Sequence, residues 1–358
     1  MKADDIAALR IVAQQLDGGG NRSPQDVVRH MCAMQAQDLG MSKWAVGIRA
    51  PGITEEEVNA AMDRGDILRT HVLRPTWHLV AKEDIRWMLE LTAPRIKRAM
   101  LSNGALRGLD EKAFKRSNSV IEKALSSGKH LTRPELQIAL EKAKLPTDDN
   151  RLSHMLMHAE LAGIICSGAA QGKRTTHALL EERAPKKERI TRDEALERLA
   201  TRYFIGHGPA TLKDFIWWSG LTMTDAKRAM DAVRTSFMEE RIGESVYLLE
   251  SSLQPERSTR SSLHLLPAFD ELIIGYADRS AVLDAADQRR VLSSNGIFYP
   301  VLIRDGRAIG LWKRAIGRQR VDVQIKPFRK IEKAEMQAID KAASALGGFL
   351  QKPVEVLR

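Results

Sequence analysis

The order of predicted elements constrains this chain most: helices followed by a two-stranded ribbon, a unit that recurs along the sequence. In its first occurrence Ser23 precedes Pro24, a pairing typical of a helix start. A β-like run interrupted at Pro75 follows the helices, as in a hairpin. The predicted helices begin near Asp4, Ser23 and Thr54, the second runs towards Gln35, and the ribbon spans Ile67 to Val80. Helices followed by a ribbon have the layout of a winged helix.

Two later segments repeat this order. The second contains a helix opening at Thr132, a helix over Asn150–Leu161, and strands over Ile164–Ser167 and Thr175–Leu180. The third contains helices over Asp193–Tyr203, Thr211–Trp218 and Thr222–Arg234, and strands over Phe237–Arg241 and Ser245–Leu249. A charged linker, Glu181–Arg189, separates the two segments.

The C-terminal part is predicted to be rich in β-strands. Its strands cover His264–Pro267, Ile273–Tyr276, Tyr299–Arg304, Ala308–Lys313 and Arg320–Ile325, and a helix over Lys330–Leu350 closes the chain. Asp305-Gly306 is a typical two-residue hairpin turn. We therefore predict an α+β fold with tandem winged-helix units, a β-rich C-terminal region and a closing helix. The predicted divisions are 1–117, 118–189, 190–255 and 256–358.

The charge balance indicates a polyanionic partner. Lysine and arginine exceed aspartate and glutamate by 56 − 46, which gives a net charge of +10 in 358 residues. Nucleic acid is the leading candidate for that partner. An aromatic content of 5% argues against a surface that stacks single-stranded bases.

The chain contains no apolar run long enough to span a bilayer, and its N-terminus lacks the apolar core of a signal peptide. We expect a cytoplasmic protein, in a bacterial-type cytosol or nucleoid, with no membrane partner. The two cysteines, Cys32 and Cys166, form no Cys-x-x-Cys pair. We expect buried thiols, no metal site and no cofactor.

The neutral pair Gln35 and Gln37 is the most informative candidate for chemistry. On an α-helix, residues two apart diverge by roughly 200°, so they cannot share a target. In extended or irregular backbone they point the same way. If the two amides act together, the helix must end near Gln35, and Gly40 permits this. The alternative is that the two residues cap the helix end or bind the phosphate backbone.

Other polar residues have structural interpretations by default. His78 on a strand is more often a half-buried histidine with a hydrogen-bond partner than a site residue, and Trp44 is more often a core residue. Asp270 and Glu271 are adjacent, so a strand would point them to opposite faces. A carboxylate dyad is therefore not expected, although one of them could orient a water or an arginine.

Three blocks of sequence resemble the AlkZ/YcaQ-like DNA glycosylases, in the same order and over nearly the whole chain. The blocks are Met34-Gln-Ala-Gln-Asp-Leu-Gly-Met-Ser-Lys-Trp44 followed by Arg49, Leu73-Arg-Pro-Thr-Trp-His-Leu-Val80, and Leu265-Leu-Pro-Ala-Phe-Asp-Glu-Leu-Ile-Ile-Gly-Tyr-Ala-Asp-Arg279 with Gly310-Leu-Trp312. Members of this family have tandem winged helices and remove alkylated bases, including crosslinked N7-alkylguanines. The resemblance implies that Gln35 and Gln37 are the catalytic pair. A glutamine at the second position is similar to the AlkZ-like branch, because the YcaQ-like branch has aspartate there.

The resemblance and the basic runs together imply a set of DNA contacts. These are Arg49, Arg74, Trp77, His78, Lys173, Arg174, Lys313, Arg314, Arg318 and Arg320, with a solvated surface as the alternative for each basic run. Of the basic runs, Lys313–Arg320 is favoured because it lies on a predicted hairpin.

The expected function is a monofunctional DNA glycosylase that hydrolyses the N-glycosidic bond of alkylated purines in double-stranded DNA and leaves an abasic site. A glutamine pair suits such a substrate, since an N7-alkylpurine is cationic and is already a good leaving group. The alternatives are a non-enzymatic winged-helix DNA-binding protein, for example a transcription regulator, or a protein-interaction scaffold. Three fused units favour a monomer.

Overall fold

The computed structural model describes residues 5–18, 22–104, 108–186, 189–253 and 262–357. It is an α+β fold, as predicted. Its internal contacts divide the chain into two compact units. Unit 1 comprises Met1–Asn59 and Leu196–Arg358, and unit 2 comprises Ala60–Ala195. The predicted division into four segments stays a prediction. Asp4 and part of the glycine run at 18–20 lie outside the described residues, as do parts of the 181–189 linker and of the 256–358 segment.

Unit 1 begins with three helices and a short strand. They are α1 (Asp5–Ala13), α2 (Pro24–Met31), β1 (Ala33–Gln35) and α3 (Leu39–Gly47), and α4 (Glu55–Arg64) begins in unit 1. Ser23 caps α2 as predicted, and its side chain accepts a hydrogen bond from the Asp26 N–H in a capping box. The sequence analysis missed α3. Its apolar residues are not confined to one stripe, so it lacks the usual amphipathic signal.

The middle of unit 1 has the predicted helix–helix–ribbon order. Its elements are α10 (Arg192–His207), which begins in unit 2, α11 (Leu212–Ser219), α12 (Met223–Val233), β7 (Met238–Ile242) and β8 (Ser245–Leu249). The two strands pair antiparallel with Ile242 opposite Ser245. This order is compatible with a winged helix.

A five-stranded sheet forms the C-terminal part of unit 1. Its elements are β9 (Leu263–Leu266), α13 (Glu271–Ile274), α14 (Gln288–Val291), β10 (Val301–Arg304), β11 (Arg307–Ile316), β12 (Val321–Pro327), α15 (Lys333–Leu350) and β13 (Val354–Leu357). The strand order is β13-β12-β11-β10-β9, with β12 and β13 parallel. The β-rich region and the closing helix are confirmed. The predicted strand Ile273–Tyr276 is wrong: Glu271–Ile274 forms one helical turn, because the Asp270 carboxylate accepts the Leu272 N–H at 2.9 Å and caps it.

A hydrophobic core holds that helical turn against the sheet and α1. Its buried members include Ile11 of α1, Leu266 of β9, Ile273 of α13 and Val301 of β10. These residues come from both ends of the sequence, so the core fixes the position of residues 270–274 within unit 1.

Unit 2 repeats the combination of helices and hairpins. Its elements are β2 (Ile67–Val72), β3 (Thr76–Ala81), α5 (Ile85–Gly104), α6 (Glu111–Leu125), β4 (Leu131–Thr132), α7 (Arg133–Lys142), α8 (Arg151–Leu161), β5 (Ile165–Ser167), β6 (Thr176–Leu179) and α9 (Leu180–Arg183). The pairs β2–β3 and β5–β6 are antiparallel, and β4 pairs with β6. Helices α5 to α8 share one apolar core that includes Phe114, Ile121 and Leu136. No helix in the described part of the chain is long and apolar enough to cross a membrane.

Candidate active site

The two glutamines lie in non-helical backbone in unit 1. Helix α2 ends at Met31, and Cys32 turns the chain with a φ of 65°. Gln35 is the last residue of β1, and Gln37 lies in the bend before α3. The geometric condition for joint action is therefore met, since a helix no longer forces the two side chains apart.

The two glutamines differ in exposure. Gln35 is 5% exposed, whereas Gln37 is exposed. The next residue, Asp38, caps α3, and its Oδ1 accepts the Met41 N–H at 3.0 Å. Gln37 thus lies between a buried strand end and a capped helix, where both flanking residues are held.

Glu271 holds the main chain of Gln35. Its Oε1 accepts the Gln35 N–H at 2.7 Å, although 236 positions separate the residues in sequence. A carboxylate that accepts a backbone N–H makes a charge-assisted hydrogen bond, which is stronger than a neutral one. Glu271 therefore fixes the strand that ends at Gln35.

The second oxygen of Glu271 is also engaged. Oε2 accepts the Trp218 Nε1–H at 3.1 Å and lies 3.4 Å from His207 Nε2. Glu271 is 1% exposed. Because both oxygens are occupied by buried groups, Glu271 is placed to position Gln35 and not to take a proton from a water.

Gly275 makes this arrangement possible. A Cβ built there would lie 2.5 Å from the Glu271 carbonyl oxygen and 2.9 Å from His207 Cδ2. Either distance is too short for a side chain, so only glycine lets His207 approach the helical turn that carries Glu271.

Asp270 orients an arginine, which was one of the two roles considered for this carboxylate pair. Its two oxygens accept hydrogen bonds from Arg49 Nη1 at 2.8 Å and Nη2 at 2.9 Å. Arg49 also donates to the Gln14 Oε1 at 2.7 Å, and the arginine is 0% exposed. This position corrects the expectation that Arg49 contacts DNA, because its guanidinium is buried and bound within unit 1.

Trp44 is a core residue, 3% exposed, and its Nε1–H donates to the Leu265 carbonyl at 2.7 Å.

The hairpin β11–β12 carries four of the predicted DNA contacts. Lys313, Arg318 and Arg320 are exposed, whereas Arg314 is half-buried. Arg320 forms ion pairs with Asp322 at 2.9 Å and with Glu355, which offset its charge. The Lys352 ammonium donates to the Gly317 and Arg318 carbonyls at 2.8 and 3.1 Å and fixes the turn.

Arg314 reaches the first turn of α3, the helix that follows the glutamines. Its Nη2 lies 3.3 Å from the position that a Cβ on Gly40 would occupy, and Asp38 Oδ1 lies 3.5 Å from the same point. Burial lowers the pKa of Arg314, and the charges of Glu55 and Asp38 oppose that effect. Gln35 and Gln37 precede α3 and Arg314 lies beside its first turn, so the three residues lie in one region of unit 1, and no pattern in the sequence indicates this proximity.

Five of the predicted contacts belong to unit 2. Arg74 and Trp77 are half-buried, and the Arg69 guanidinium lies 4.1 Å from the centroid of the Trp77 ring. His78 is 0% exposed, with its Nδ1 3.0 Å from the Thr76 carbonyl. The default interpretation of His78 is therefore supported, and a contact with DNA is not. Lys173 and Arg174 are exposed at the β5–β6 turn, where the Gln171 and Arg174 main chains bond at 3.0 and 3.1 Å.

Unit 2 contains a second buried carboxylate that the sequence analysis missed. Glu160 is 2% exposed, and it accepts the His71 N–H at 3.1 Å and bonds the His71 ring. Burial raises its pKa, but the His71 hydrogen bond and the His71 and His177 charges outweigh this and leave the pKa lowered. Among the residues that the structure describes, no cluster of histidine, cysteine, aspartate or glutamate is arranged to hold a metal ion.

The chain belongs to the AlkZ-like DNA glycosylases: the family model described as DNA glycosylase AlkZ-like matches residues 28–349. It is therefore an enzyme that acts on N-glycosyl bonds of DNA.

A curated protein and a solved structure, both from Streptomyces sahachiroi, are similar to the chain over its full length. One is a curated protein named interstrand DNA cross-link repair glycosylase, 24% identical over 376 residues, with 100% of both chains covered. The other is the solved structure of the Streptomyces sahachiroi DNA glycosylase AlkZ, which superposes with a TM-score of 0.82 at 22% identity over 100% of both chains. The second comparison supports the α+β fold described above.

Proposed function

We propose that this DNA glycosylase hydrolyses the N-glycosidic bond of N7-alkylated purines, and that Gln35 and Gln37 carry the reaction. The observation that supports this assignment most is the exposed Gln37 beside a buried Gln35 whose main chain is held by Glu271. An exposed amide on a fixed backbone is suited to orienting a water molecule, since a misplaced group loses much of its catalytic effect.

The chemistry of the substrate accounts for the absence of a strong acid or base from this pair. An N7-alkylguanine carries a positive charge, so the C1′–N9 bond breaks to release a neutral base without prior protonation. The sugar then has oxocarbenium character, and a water oxygen forms the new bond to C1′ and loses its proton to solvent. Amide oxygens accept hydrogen bonds from the attacking water, and their dipoles stabilise the developing positive charge.

The product is an abasic site with both strands intact. We assign no lysine as nucleophile, so we expect a monofunctional enzyme that does not cleave the backbone. The protein is proposed to act as a monomer on double-stranded DNA at the bacterial-type nucleoid, in the cytoplasm.

Unhooking of interstrand crosslinks is a second candidate activity. The relative from Streptomyces sahachiroi is named as a cross-link repair glycosylase, and the two chains match over their full lengths. A crosslinked N7-alkylguanine has the same cationic leaving group, so the same residues would serve both substrates.

Base release from a duplex with a single N7-methylguanine tests the proposal. We expect the wild-type protein to release N7-methylguanine in a single-turnover assay and to leave a strand that breaks only after alkali treatment. A duplex with an N7-linked interstrand crosslink gives the second arm. No release from either substrate would overturn the activity.

A second experiment tests the residues. The double variant Gln35→Ala, Gln37→Ala is expected to lose base release while it still binds the duplex. Release at the wild-type rate would reject the assignment of the glutamines and leave the activity standing.

A further inference from the structure

Among the hairpin cations, Arg314 differs in its surroundings. Lys313, Arg318 and Arg320 are exposed to solvent, whereas Arg314 is half-buried against Gly40. Adjacent residues on a strand point to opposite faces, so Lys313 and Arg314 cannot serve the same target. We therefore group Arg314 with Gln35 and Gln37, which directly precede α3, and not with the exposed cations of the hairpin.

The guanidinium of Arg314 is incompletely bonded. Its Nη1 is buried and has no hydrogen-bond partner within the described ranges of the chain. A buried donor without a partner loses its hydrogen bonds to water and gains none from the protein, which destabilises the folded state. Such a group calls for an explanation, and a ligand that completes its bonding is one.

The two nearby carboxylates are engaged elsewhere. Glu55 lies 3.5 Å from the Lys43 ammonium, and Asp38 accepts the Met41 N–H as the cap of α3. Both act on Arg314 through their charge, yet neither satisfies Nη1. The described residues thus leave the hydrogen bonding of the Arg314 guanidinium incomplete. This cation lies within the electrostatic influence of Asp38, the residue that follows Gln37.

We propose that Arg314 is a positioning residue that binds a DNA phosphate flanking the damaged nucleotide, and so sets the sugar against Gln37. This inference rests on the proposed function. A planar guanidinium matches a phosphate through two parallel hydrogen bonds, which fix direction as well as distance. The exposed cations Lys313 and Arg318 add affinity without that constraint, because phosphate contacts far from the lesion do not orient the reacting sugar.

Coupling between a protein change and a phosphate change tests the contact directly. The substrate is a duplex with N7-methylguanine, and each of the three phosphates on either side of the lesion is replaced in turn by a neutral methylphosphonate. Binding is measured for the wild type and for Arg314→Ala, Arg318→Ala and Arg289→Ala. Arg289 is an exposed arginine of α14 and is the matched control for loss of charge.

We expect one flanking phosphate to show coupling with Arg314→Ala alone. At that phosphate, the methylphosphonate should weaken wild-type binding about tenfold and should weaken Arg314→Ala binding little, since the contact is already lost. Arg318→Ala and Arg289→Ala should respond to the same methylphosphonate as the wild type does. Equal responses of Arg314→Ala and the wild type at all six phosphates would overturn the inference.

A kinetic arm separates positioning from affinity. At saturating enzyme, Arg314→Ala should release base about tenfold or more slowly than the wild type, and Arg289→Ala should match the wild type, because this exposed arginine of α14 is not among the proposed DNA contacts. Arg314→Lys keeps the charge and is the second variant if Arg314→Ala does not fold; it should bind with partial loss and retain part of the coupling. Full coupling and full rate in Arg314→Lys would show that charge alone suffices and would overturn the claim of directed positioning.

The outcomes distinguish this inference from the proposed function. If the wild type releases no base, the proposed function fails, and the binding arm still decides whether Arg314 contacts a flanking phosphate. If the wild type releases base and no coupling is found, only the role of Arg314 fails.

Discussion

The two compact units contain similar polar parts and differ in what surrounds them. Each has a buried carboxylate that accepts a backbone N–H of a strand residue: Glu271 binds Gln35 in unit 1, and Glu160 binds His71 in unit 2. Each also presents basic residues at a hairpin turn. In unit 1 the strand that Glu271 binds is followed by the exposed amide of Gln37. In unit 2 Glu160 binds both the backbone and the ring of His71.

Burial alone does not distinguish a structural carboxylate from one that supports a functional site. Burial and perturbed electrostatics are found at structural ion pairs as well as at functional sites. Glu160 bonds the backbone and the ring of His71 and lies 3.7 Å from His177 Nδ1, so structural contacts within unit 2 account for its burial. Glu271 fixes the backbone of Gln35, and the exposed side chain of Gln37 lies two residues further along the chain. We therefore interpret the hydrogen bonds of Glu271 as supporting the proposed site.

The largest effect is expected for the glutamines taken singly. Gln37→Ala should lower single-turnover base release from N7-methylguanine DNA by about 100-fold, in the range found when one transition-state hydrogen-bonding group is removed. Its melting temperature should not change, since Gln37 is exposed. Gln35→Ala should lower the rate by a similar factor and should also lower the melting temperature, because Gln35 is buried.

The control is Gln171→Ala, an exposed glutamine at the β5–β6 turn of unit 2. Its rate should equal that of the wild type. A comparable loss of rate in Gln171→Ala would remove the distinction between the two units.

Substitution of the two buried carboxylates addresses the comparison directly. Glu271→Gln removes the negative charge and keeps one oxygen that can accept the Gln35 N–H. Its NH₂ group then faces the Trp218 Nε1–H, so two donors meet where the carboxylate had accepted a hydrogen bond. We expect base release to fall by about 30-fold at saturating enzyme, because a small displacement of a catalytic group costs one to two orders of magnitude.

Glu160→Gln is the matched change in unit 2. It removes the charge beside His71 and His177 and should lower the melting temperature while leaving the rate of the folded enzyme unchanged. The comparison would be wrong if Glu160→Gln slowed base release as much as Glu271→Gln.

Acid should destabilise both units. Burial lowers the pKa of His30 and His264 in unit 1 and of His158 in unit 2 to about 4. Between pH 6.5 and about 4 the unfolded chain binds protons that these folded-state rings do not, so the free energy of unfolding falls as the pH falls through this window. The well-buried rings of His30 and His264 should each contribute on the order of 1–2 kcal/mol to that loss, and the His158 ring should contribute less because solvent screens it.

Glu160 adds a loss at lower pH. Its pKa is lowered from 4.5, so the stability it provides is present above pH 4.5 and is lost as the pH falls through its folded-state value. Thermal unfolding and hydrogen exchange between pH 7.5 and 3.5 measure both effects. His30→Gln, which can still donate to the Ala13 carbonyl, should flatten the first loss. Stability that rises between pH 6.5 and 4.5 would contradict the assigned direction.

The smallest effects are expected at the two hairpin turns. Arg318→Ala in unit 1 and Lys173→Ala in unit 2 should each weaken duplex binding about threefold and reduce the slope of log affinity against log salt by about one. Arg320→Ala should have less effect, because two carboxylates already offset its charge. Fluorescence anisotropy over a series of salt concentrations measures these slopes. Unchanged slopes would identify the turns as solvated surfaces.

Local elements with strong signals could be predicted from the amino-acid sequence. Ser23 and Pro24 marked the start of α2, Pro75 marked a hairpin, and Asp305-Gly306 marked a two-residue turn, because capping groups and turn residues act on backbone a few positions away. It also determined the candidate pair, since Gln35 and Gln37 belong to a motif that is contiguous in the chain.

The surroundings of Gln35 and Gln37 depend on the tertiary structure. Glu271 lies 236 positions from Gln35, and Arg314 is far along the chain from Gly40, so no local pattern links them. The same limit explains two differences between prediction and structure. Arg49 has the charge expected of a DNA contact, yet in the folded chain it pairs with Asp270. The segment Ile273–Tyr276 contains an apolar run typical of a strand, yet Asp270 caps a helical turn there. Hydrogen bonds and desolvation act through space, and a position in sequence does not specify which distant group will satisfy a buried charge.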